Sequence, residues 1–182
     1  MSPLERQIVL EGLTASETRL LELIGDLTPD QWRFREAPDR WSIAEILEHL
    51  VVFEDFIRQQ IQKALTAPPR PEQESTAAKD PLALGLAESR NTKFQAREAA
   101  IPTGRWSSPT ELIDEFRKTR ARTRAFAART DADLRGHFFP HIVFGDLDCC
   151  QWLIVLGTHT NRHALQIAEI KSHPGCVRVR HS

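Results

Sequence analysis

The sequence lacks an excess of charge of either sign and any long apolar run. It carries 24 lysines and arginines against 25 aspartates and glutamates, a formal net charge of −1. This balance provides no global basic surface for a phosphate backbone or an anionic membrane, so we expect neither as a partner. The longest apolar stretches, such as CCQWLIVLG, are far shorter than the ~20 residues of a membrane-spanning helix, and the first residues have no secretory layout. We therefore expect a cytoplasmic protein.

The sequence is also poor in cysteine. Its three cysteines, Cys149, Cys150 and Cys176, cannot all pair within one chain, and adjacent cysteines rarely bond each other. We therefore expect three reduced thiols rather than a disulfide framework.

Sustained alternation of apolar and polar residues between hairpin turns, the signature of β-strands, is absent as well. Four long helical patterns are present instead, and they cover residues 4–25, 43 to 61 or 65, 109–129 and 149–172. The last three begin at capping signals, Ser42 with Glu45, Ser108 with Glu111, and Asp148 with Gln151. With 182 residues the chain can bury one sizeable core. The sequence predicts one all-α domain over 1–182, a four-helix bundle with a long crossover connection.

The segments between these helices carry weaker signals. A proline-rich loop spans 66–81, a ragged helical pattern covers 82–100, and a C-terminal tail follows at 173–182. Residues 136–148, GHFFPHIVFGDLD, are expected to form an aromatic loop over one end of the bundle. The predicted helix 109–129 carries basic residues that we expect to form a solvated face: Arg117, Lys118, Arg120, Arg122, Arg124 and Arg129.

Two histidines, His159 and His163, lie four residues apart in the last predicted helix. At that spacing they project about 40° apart and roughly 6 Å along the axis, so their imidazoles can bind one metal ion. They lie beside an apolar stripe and are expected to face inward. The Gln166 amide lies on the same face and is a weak candidate for a catalytic role. The pair alone is weak evidence, because helices carry such pairs by chance.

His49 adds a third imidazole in the second predicted helix, between Ile46 and Leu50. A buried imidazole needs partners, and a single core histidine bonded to a backbone carbonyl is the alternative interpretation. A divalent ion bound by His49, His159 and His163 would satisfy one nitrogen of each. Three protein ligands leave an open position, as in catalytic zinc sites. Glu45, one turn before His49, is a candidate catalytic or ligand-supporting carboxylate if its capping box leaves it free.

Water or an external thiol could fill the open position. Cys149 and Cys150 lie about 14–15 Å from His159 along a straight helix, too far to share its ion. Cys176 lies beyond Pro174 and would have to double back.

Arg162 and His141 are weaker candidates. Arg162 flanks the face of His159 and is a candidate for binding a carboxylate of the thiol or substrate, with a surface ion pair as the alternative. His137 and His141 are separated by Pro140 and are expected to be structural, although His141 could reach the site.

The sequence resembles the DinB-like (DinB/YfiT) superfamily. Four segments carry the resemblance in order: LTPDQW at 27–32, RWSIAEILEHL at 40–50, PHIVFGDL at 140–147 and QWLIVLGTHTNRHALQI at 151–167. The most specific combination is a W-S-I-x-E-x-L-x-H helix start with a distant H-x-x-R-H-x-x-Q-I. The resemblance implies a four-helix bundle that binds a divalent metal, commonly zinc or nickel, through His49, His159 and His163. The segment 148–150 departs from the expected pattern and leaves this triad intact.

The same resemblance implies a class of activity. Relatives in the superfamily include thiol S-transferases, which join bacillithiol, mycothiol or glutathione to an electrophile, and a maleylpyruvate isomerase; homodimers are common. We therefore expect a metal-dependent thiol S-transferase acting on a small-molecule thiol and an electrophilic substrate. A metal-dependent hydrolase and a non-catalytic metal-binding bundle are the alternatives.

Overall fold

The computed structural model describes residues 1–70, 79–85, 100–142 and 144–179. Its four long helices are α1 (Pro3–Ile24), α3 (Ile43–Ala64), α5 (Pro109–Arg129) and α6 (Cys149–Ser172). The described residues also form three short helices, α2 (Pro29–Arg33), α4 (Asp80–Gly85) and α7 (Pro174–Val179). A two-stranded antiparallel hairpin consists of β1 (Phe138–His141) and β2 (Gly145–Asp148). The predicted four-helix bundle is confirmed.

The long helices begin at the capping signals of the sequence. Ser42 accepts a hydrogen bond from the Glu45 backbone, and the Glu45 carboxylate accepts one from the Ser42 backbone. Asp148 and Gln151 form the same reciprocal box at the start of α6. Each cap stabilises its helix by about 1 kcal/mol. The box at α5 is only half formed, because the Glu111 carboxylate binds the backbone and hydroxyl of Ser107 instead.

The order of the helices around the bundle explains the long connection. Helices α1 and α3 each pack against α5 and α6, so consecutive long helices α1 and α3 lie on a diagonal. The start of α3 contacts residues 103–105, just before α5, and its end contacts His137, after α5. Helices α3 and α5 are therefore parallel, which requires a connection that returns along the bundle. The predicted boundary at residue 82 is wrong, because α4 begins at Asp80, inside the predicted loop, and ends at Gly85. Residues 71–78 of the predicted loop and 86–99 of the predicted helix lie outside the described residues.

A polar layer divides the core into two apolar clusters. Each long helix contributes buried apolar residues to both clusters and one buried polar residue to the layer between them. The members of this layer are Ser16 of α1, Glu54 of α3, Arg120 of α5 and Thr160 of α6. Arg120 donates to the Glu54 carboxylate, the Leu13 carbonyl and both hydroxyls at 2.8–3.0 Å.

The burial of Arg120 corrects the expectation of a uniformly solvated basic face on α5. Its side chain has no exposed area, whereas those of Arg117 and Arg122 are about half exposed. A buried guanidinium is tolerated because every donor has a partner. The face is therefore basic and solvated except at Arg120, where α5 turns toward the core.

The segment predicted as an aromatic loop forms the β1–β2 hairpin, which corrects that prediction. Phe138 pairs with Asp148, and His141 pairs with Gly145. The hairpin is attached to the start of α6, where the Phe139 ring stacks on Trp152 at 4.5 Å and the Phe139 carbonyl accepts from the Trp152 indole. Two strands of four residues each, the first of them containing Pro140, are too short to show a clear period of two.

Residues 174–179 of the predicted C-terminal tail form α7. Helix α6 ends at Ser172 as predicted, and α7 follows at once. Cys176 of α7 is buried in the apolar cluster that includes Trp32 and Ile170. The three cysteines are free and buried, in agreement with the prediction of reduced thiols. None of the helices in the described part of the chain is long and apolar enough to cross a membrane.

Candidate metal centre

The structure brings together the three histidines predicted as ligands. Nε2 of His49 lies 3.3 Å from Nε2 of His159, which in turn lies 3.2 Å from Nε2 of His163. Two nitrogens bound at ~2.0–2.1 Å to one tetrahedral ion are separated by about 3.3–3.4 Å. The spacing of the imidazoles therefore suits a shared ion.

Helix packing creates this convergence. His159 and His163 lie on the face of α6 that packs against α3, and His49 lies on the opposing face of α3. His49 is a buried residue, whereas His159 and His163 are residues of intermediate burial, so the cluster lies at the edge of the core. Among the described residues, these three form the only such group of potential metal ligands.

The outer nitrogens of two rings are held by other groups. Nδ1 of His49 lies 2.8 Å from the Ala100 carbonyl, and Nδ1 of His163 lies 3.0 Å from Oε1 of Gln166. Because an oxygen acceptor requires a donor, each Nδ1 carries the proton and each Nε2 presents a lone pair to the cluster. This tautomer is the one required of a ligand that binds through Nε2.

The hydrogen bonds within the cluster cannot all be satisfied by imidazoles alone. His159 can donate at most one proton through Nε2, yet the lone pairs of both His49 and His163 face it. At least one pair of lone pairs therefore meets at about hydrogen-bond distance, which is unfavourable. A cation bound by all three nitrogens removes this conflict, so the donor set fits a divalent ion.

The surroundings favour the neutral form of two of the rings, those of His49 and His159. Burial lowers the pKa of His49, opposed by the hydrogen bond to Ala100. The pKa of His159 lies well below its usual value, and burial is the largest cause. The charges of four neighbouring groups lower this pKa further, in the order His163, His49, Arg162 and His141. Neutral imidazole is the form that binds metals.

Aromatic side chains form the wall around the cluster. The Trp41 ring lies 4.9 Å from that of His49, and the Phe53 ring lies 4.3 Å from that of His159. Such a wall limits the access of water and strengthens electrostatic interactions at the site.

The structure gives the weaker candidates Glu45, Gln166 and Arg162 different surroundings. Oε2 of Glu45 binds the backbone and hydroxyl of Ser42, and Oε1 binds Arg35 at 2.6 Å, so the capping box does not leave this carboxylate free. Gln166 contacts the site as the partner of His163. Arg162 is close enough for its charge to contribute, after burial and the neighbouring histidines, to the lowered pKa of His159.

His141 and the cysteines lie outside the triad. His141 stacks on Phe144 at 4.7 Å and lies 5.1 Å from Trp152, at the hairpin. Its charge is among the smaller contributions to the lowered pKa of His159, so it is near the site without joining it. Cys149 and Cys150 are buried at the start of α6, and Cys176 is buried on α7.

Sequence reasoning missed the loop that supports His49. The carbonyl of Ala100 belongs to the segment just before α5, and Glu48 binds the backbone of the same segment. The one local signal was the acidic residue Glu48 beside the predicted ligand His49. The Thr103 backbone that Glu48 binds lies 55 residues further along the chain.

Comparisons with known proteins agree with this fold. The family model of the DinB superfamily matches residues 13–167. The uncharacterized protein YuaE of Bacillus subtilis is 27% identical over 146 residues, which cover 80% of this chain and 86% of YuaE. The structure of Bacillus subtilis YfiT, described as a probable metal-dependent hydrolase with an unusual four-helix bundle topology, superposes with a TM-score of 0.63. At 14% identity, that match covers 96% of this chain and 90% of YfiT. The chain belongs to the DinB superfamily.

Proposed function

We propose that this protein is a metal-dependent enzyme that holds one divalent ion through Nε2 of His49, His159 and His163. The observation that carries the proposal is the convergence of three imidazoles, with Nε2 of His159 3.3 Å from Nε2 of His49 and 3.2 Å from Nε2 of His163. All three ligand atoms lie within 4.8 Å of one another, and Nδ1 hydrogen bonds orient two of the rings. An ion held by three nitrogens keeps a fourth position for a reactant and lowers the pKa of a thiol or water bound there. Zinc and nickel are the ions we expect.

A small-molecule thiol is the nucleophile that fits the described residues best. Hydrolysis by water calls for a base that takes up protons as the reaction proceeds. The two carboxylates of α3 nearest His49 are engaged elsewhere, Glu45 by Ser42 and Arg35 and Glu48 by residues 103–105. A thiol has a single proton to lose, so its activation requires no such base.

The proposed reaction is a thiol S-transfer. The thiol proton passes to solvent, the sulfur forms a bond to an electrophilic carbon, and the bond from that carbon to the leaving group breaks. The leaving group departs with the electron pair. We assign to Arg162 the binding of a carboxylate of the thiol or substrate, and to Trp41 and Phe53 the exclusion of water from the histidines.

A metal-dependent hydrolase is the second candidate. The observation in its favour is the similarity in fold to YfiT, which is described as a probable metal-dependent hydrolase. In that case water replaces the thiol, and a base is required from residues other than Glu45 and Glu48.

Metal analysis followed by calorimetric titration tests the proposal. We expect the purified protein to hold a stoichiometric divalent ion and to bind glutathione, bacillithiol or mycothiol only when loaded. His159→Ala should lose both the ion and the thiol. Conjugation of the bound thiol to an alkyl halide, followed by release of halide, is the expected activity.

The other outcomes separate the alternatives. Metal binding without thiol affinity, together with ester or amide cleavage, would favour the hydrolase. Metal binding without either activity, with strong destabilisation on chelation, would favour a structural ion. Absence of a stoichiometric metal would contradict the enzyme proposals.

A further inference from the structure

Glu48 precedes His49 on α3, yet its side chain binds a loop instead of the histidine cluster. Oε1 accepts from the Thr103 backbone at 2.7 Å and Oε2 from the Gly104 backbone at 2.9 Å. The Arg105 guanidinium forms an ion pair with Oε1 at 3.1 Å. The Glu48 side chain is only 5% exposed, so it depends on these partners for solvation.

The loop is shaped around this carboxylate. The backbone N–H groups of three consecutive residues, Thr103, Gly104 and Arg105, all point at Glu48. Successive N–H groups in a turn form a concave anion site of this kind. Gly104 has a φ of 77°, in the left-handed region, where any other residue costs about 1 kcal/mol or more. The clamp therefore requires both the carboxylate and the glycine.

The same loop supplies the carbonyl that orients His49. Ala100 lies three residues before Thr103, is fully buried, and accepts from Nδ1 of His49 at 2.8 Å. The position of this carbonyl is determined by the path of residues 100–105, which the Glu48 carboxylate holds against α3. Two adjacent residues of α3 thus contact the same loop. Glu48 holds the loop against α3, and the loop in turn orients the ring of His49.

We propose that Glu48 is a positioning residue of the metal centre. By holding residues 100–105 it keeps the Ala100 carbonyl on Nδ1 of His49, so that His49 stays in the Nδ1–H tautomer with Nε2 directed at the cluster. That His49 binds a metal ion rests on the proposed function, whereas the orientation of its ring by the Ala100 carbonyl does not. Groups that orient a metal ligand typically contribute 10–100-fold to metal affinity.

Glu48→Gln tests this role, because an amide places a donor against the loop N–H groups. Glu111→Gln is the matched control, since Glu111 holds Ser107 of the same connection at 2.9–3.1 Å without contacting residues 100–105. We expect the dissociation constant for zinc to rise by about 10–100-fold in Glu48→Gln and to stay within about twofold in Glu111→Gln.

Nitrogen-15 NMR of the metal-free protein provides a second readout. Wild-type His49 should show a single Nδ1–H tautomer with a slowly exchanging proton, and Glu48→Gln should show mixed tautomers. If Glu48→Gln does not fold, Gly104→Ala replaces it, because nothing lies within 4 Å of the added Cβ and only backbone strain displaces the loop.

The outcomes distinguish the two proposals. A wild-type protein that binds neither zinc nor nickel would contradict the proposed function, and the metal-free NMR comparison would still decide the role of Glu48. An unchanged His49 tautomer in a folded variant, or unchanged zinc affinity, would overturn the role of Glu48.

Discussion

Arg120 and Glu54 form an ion pair at the centre of the bundle, with side-chain exposures of 0% and 3%. Nε and Nη2 of Arg120 bind both carboxylate oxygens at 2.8–3.0 Å. The same guanidinium donates to Ser16 of α1 and Thr160 of α6, so one side chain on α5 bonds to the other three long helices. Thr160 follows His159 directly, which places this layer next to the histidine cluster.

Removal of the Arg120 charge should be strongly destabilising. Arg120→Met leaves the Glu54 carboxylate buried without a counter-charge, and we expect a loss of about 3–5 kcal/mol in the free energy of unfolding. Urea denaturation measures this loss. Arg122→Met is the matched control, because Arg122 is half exposed and its ion pair with Glu115 is long at 3.6 Å; we expect a change below about 1 kcal/mol.

A second substitution tests the physical cause. Glu54→Leu in the Arg120→Met background removes the unpaired carboxylate, so we expect most of the lost stability to return. Additive losses in the double variant would show that the layer is stabilised by something other than charge pairing.

Gly157 allows α6 to approach α1 closely. A Cβ at this position would lie 3.2 Å from the carbonyl carbon and oxygen of Gly12, both of which are backbone atoms. We expect Gly157→Ala to lower the free energy of unfolding by about 1–3 kcal/mol through overpacking. The corresponding change on α1 is Gly12→Ala, whose added Cβ would have no atom within 4 Å. This change should be neutral or stabilising by up to about 1 kcal/mol. Thermal denaturation compares them, and equal effects would contradict the predicted close contact.

The cysteines should be unreactive in the folded protein. Burial raises the pKa of Cys149 and of Cys150 to about 12, with smaller contributions from neighbouring charges including Asp148. At pH 8 these thiols stay protonated, and the thiolate is the reactive form. We expect a thiol-specific disulfide reagent to label none of the three cysteines in the native protein and all three in guanidinium chloride.

The same shifts predict the direction of the pH dependence. Above about pH 8.5 the unfolded chain loses thiol protons that the folded protein retains, so stability should fall as the pH rises toward 12. Rapid native labelling of Cys149 or Cys150 at pH 8 would contradict this account.

Local patterns were sufficient to predict the helices and the convergence of the histidines. His159 and His163 share a helix face, and the apolar neighbours of His49 place it in the bundle seam. The capping pairs at Ser42 and Asp148 also depend only on residues three positions apart. Metal binding itself stays a prediction.

The missed features depend on distant contacts or on competing patterns. Arg120 lies four residues after buried Phe116 and seven before buried Ala127, so a stripe analysis could have found it within the basic run. The hairpin strands were too short to show periodicity. The Glu48 clamp depends on the path of the connection between α3 and α5, about which the local sequence carries no information.

X-ray absorption spectroscopy of the zinc-loaded protein, with the metal content measured on the same sample, tests the proposed metal centre most directly. We predict one zinc ion per chain with three imidazole nitrogens at about 2.0–2.1 Å. His49→Ala, His159→Ala and His163→Ala should each lose this signal, whereas His173→Ala, a half-buried histidine that contacts Phe34 outside the cluster, should keep it. A wild-type protein without stoichiometric metal, or a His159→Ala variant with the same three-imidazole spectrum, would contradict the assignment.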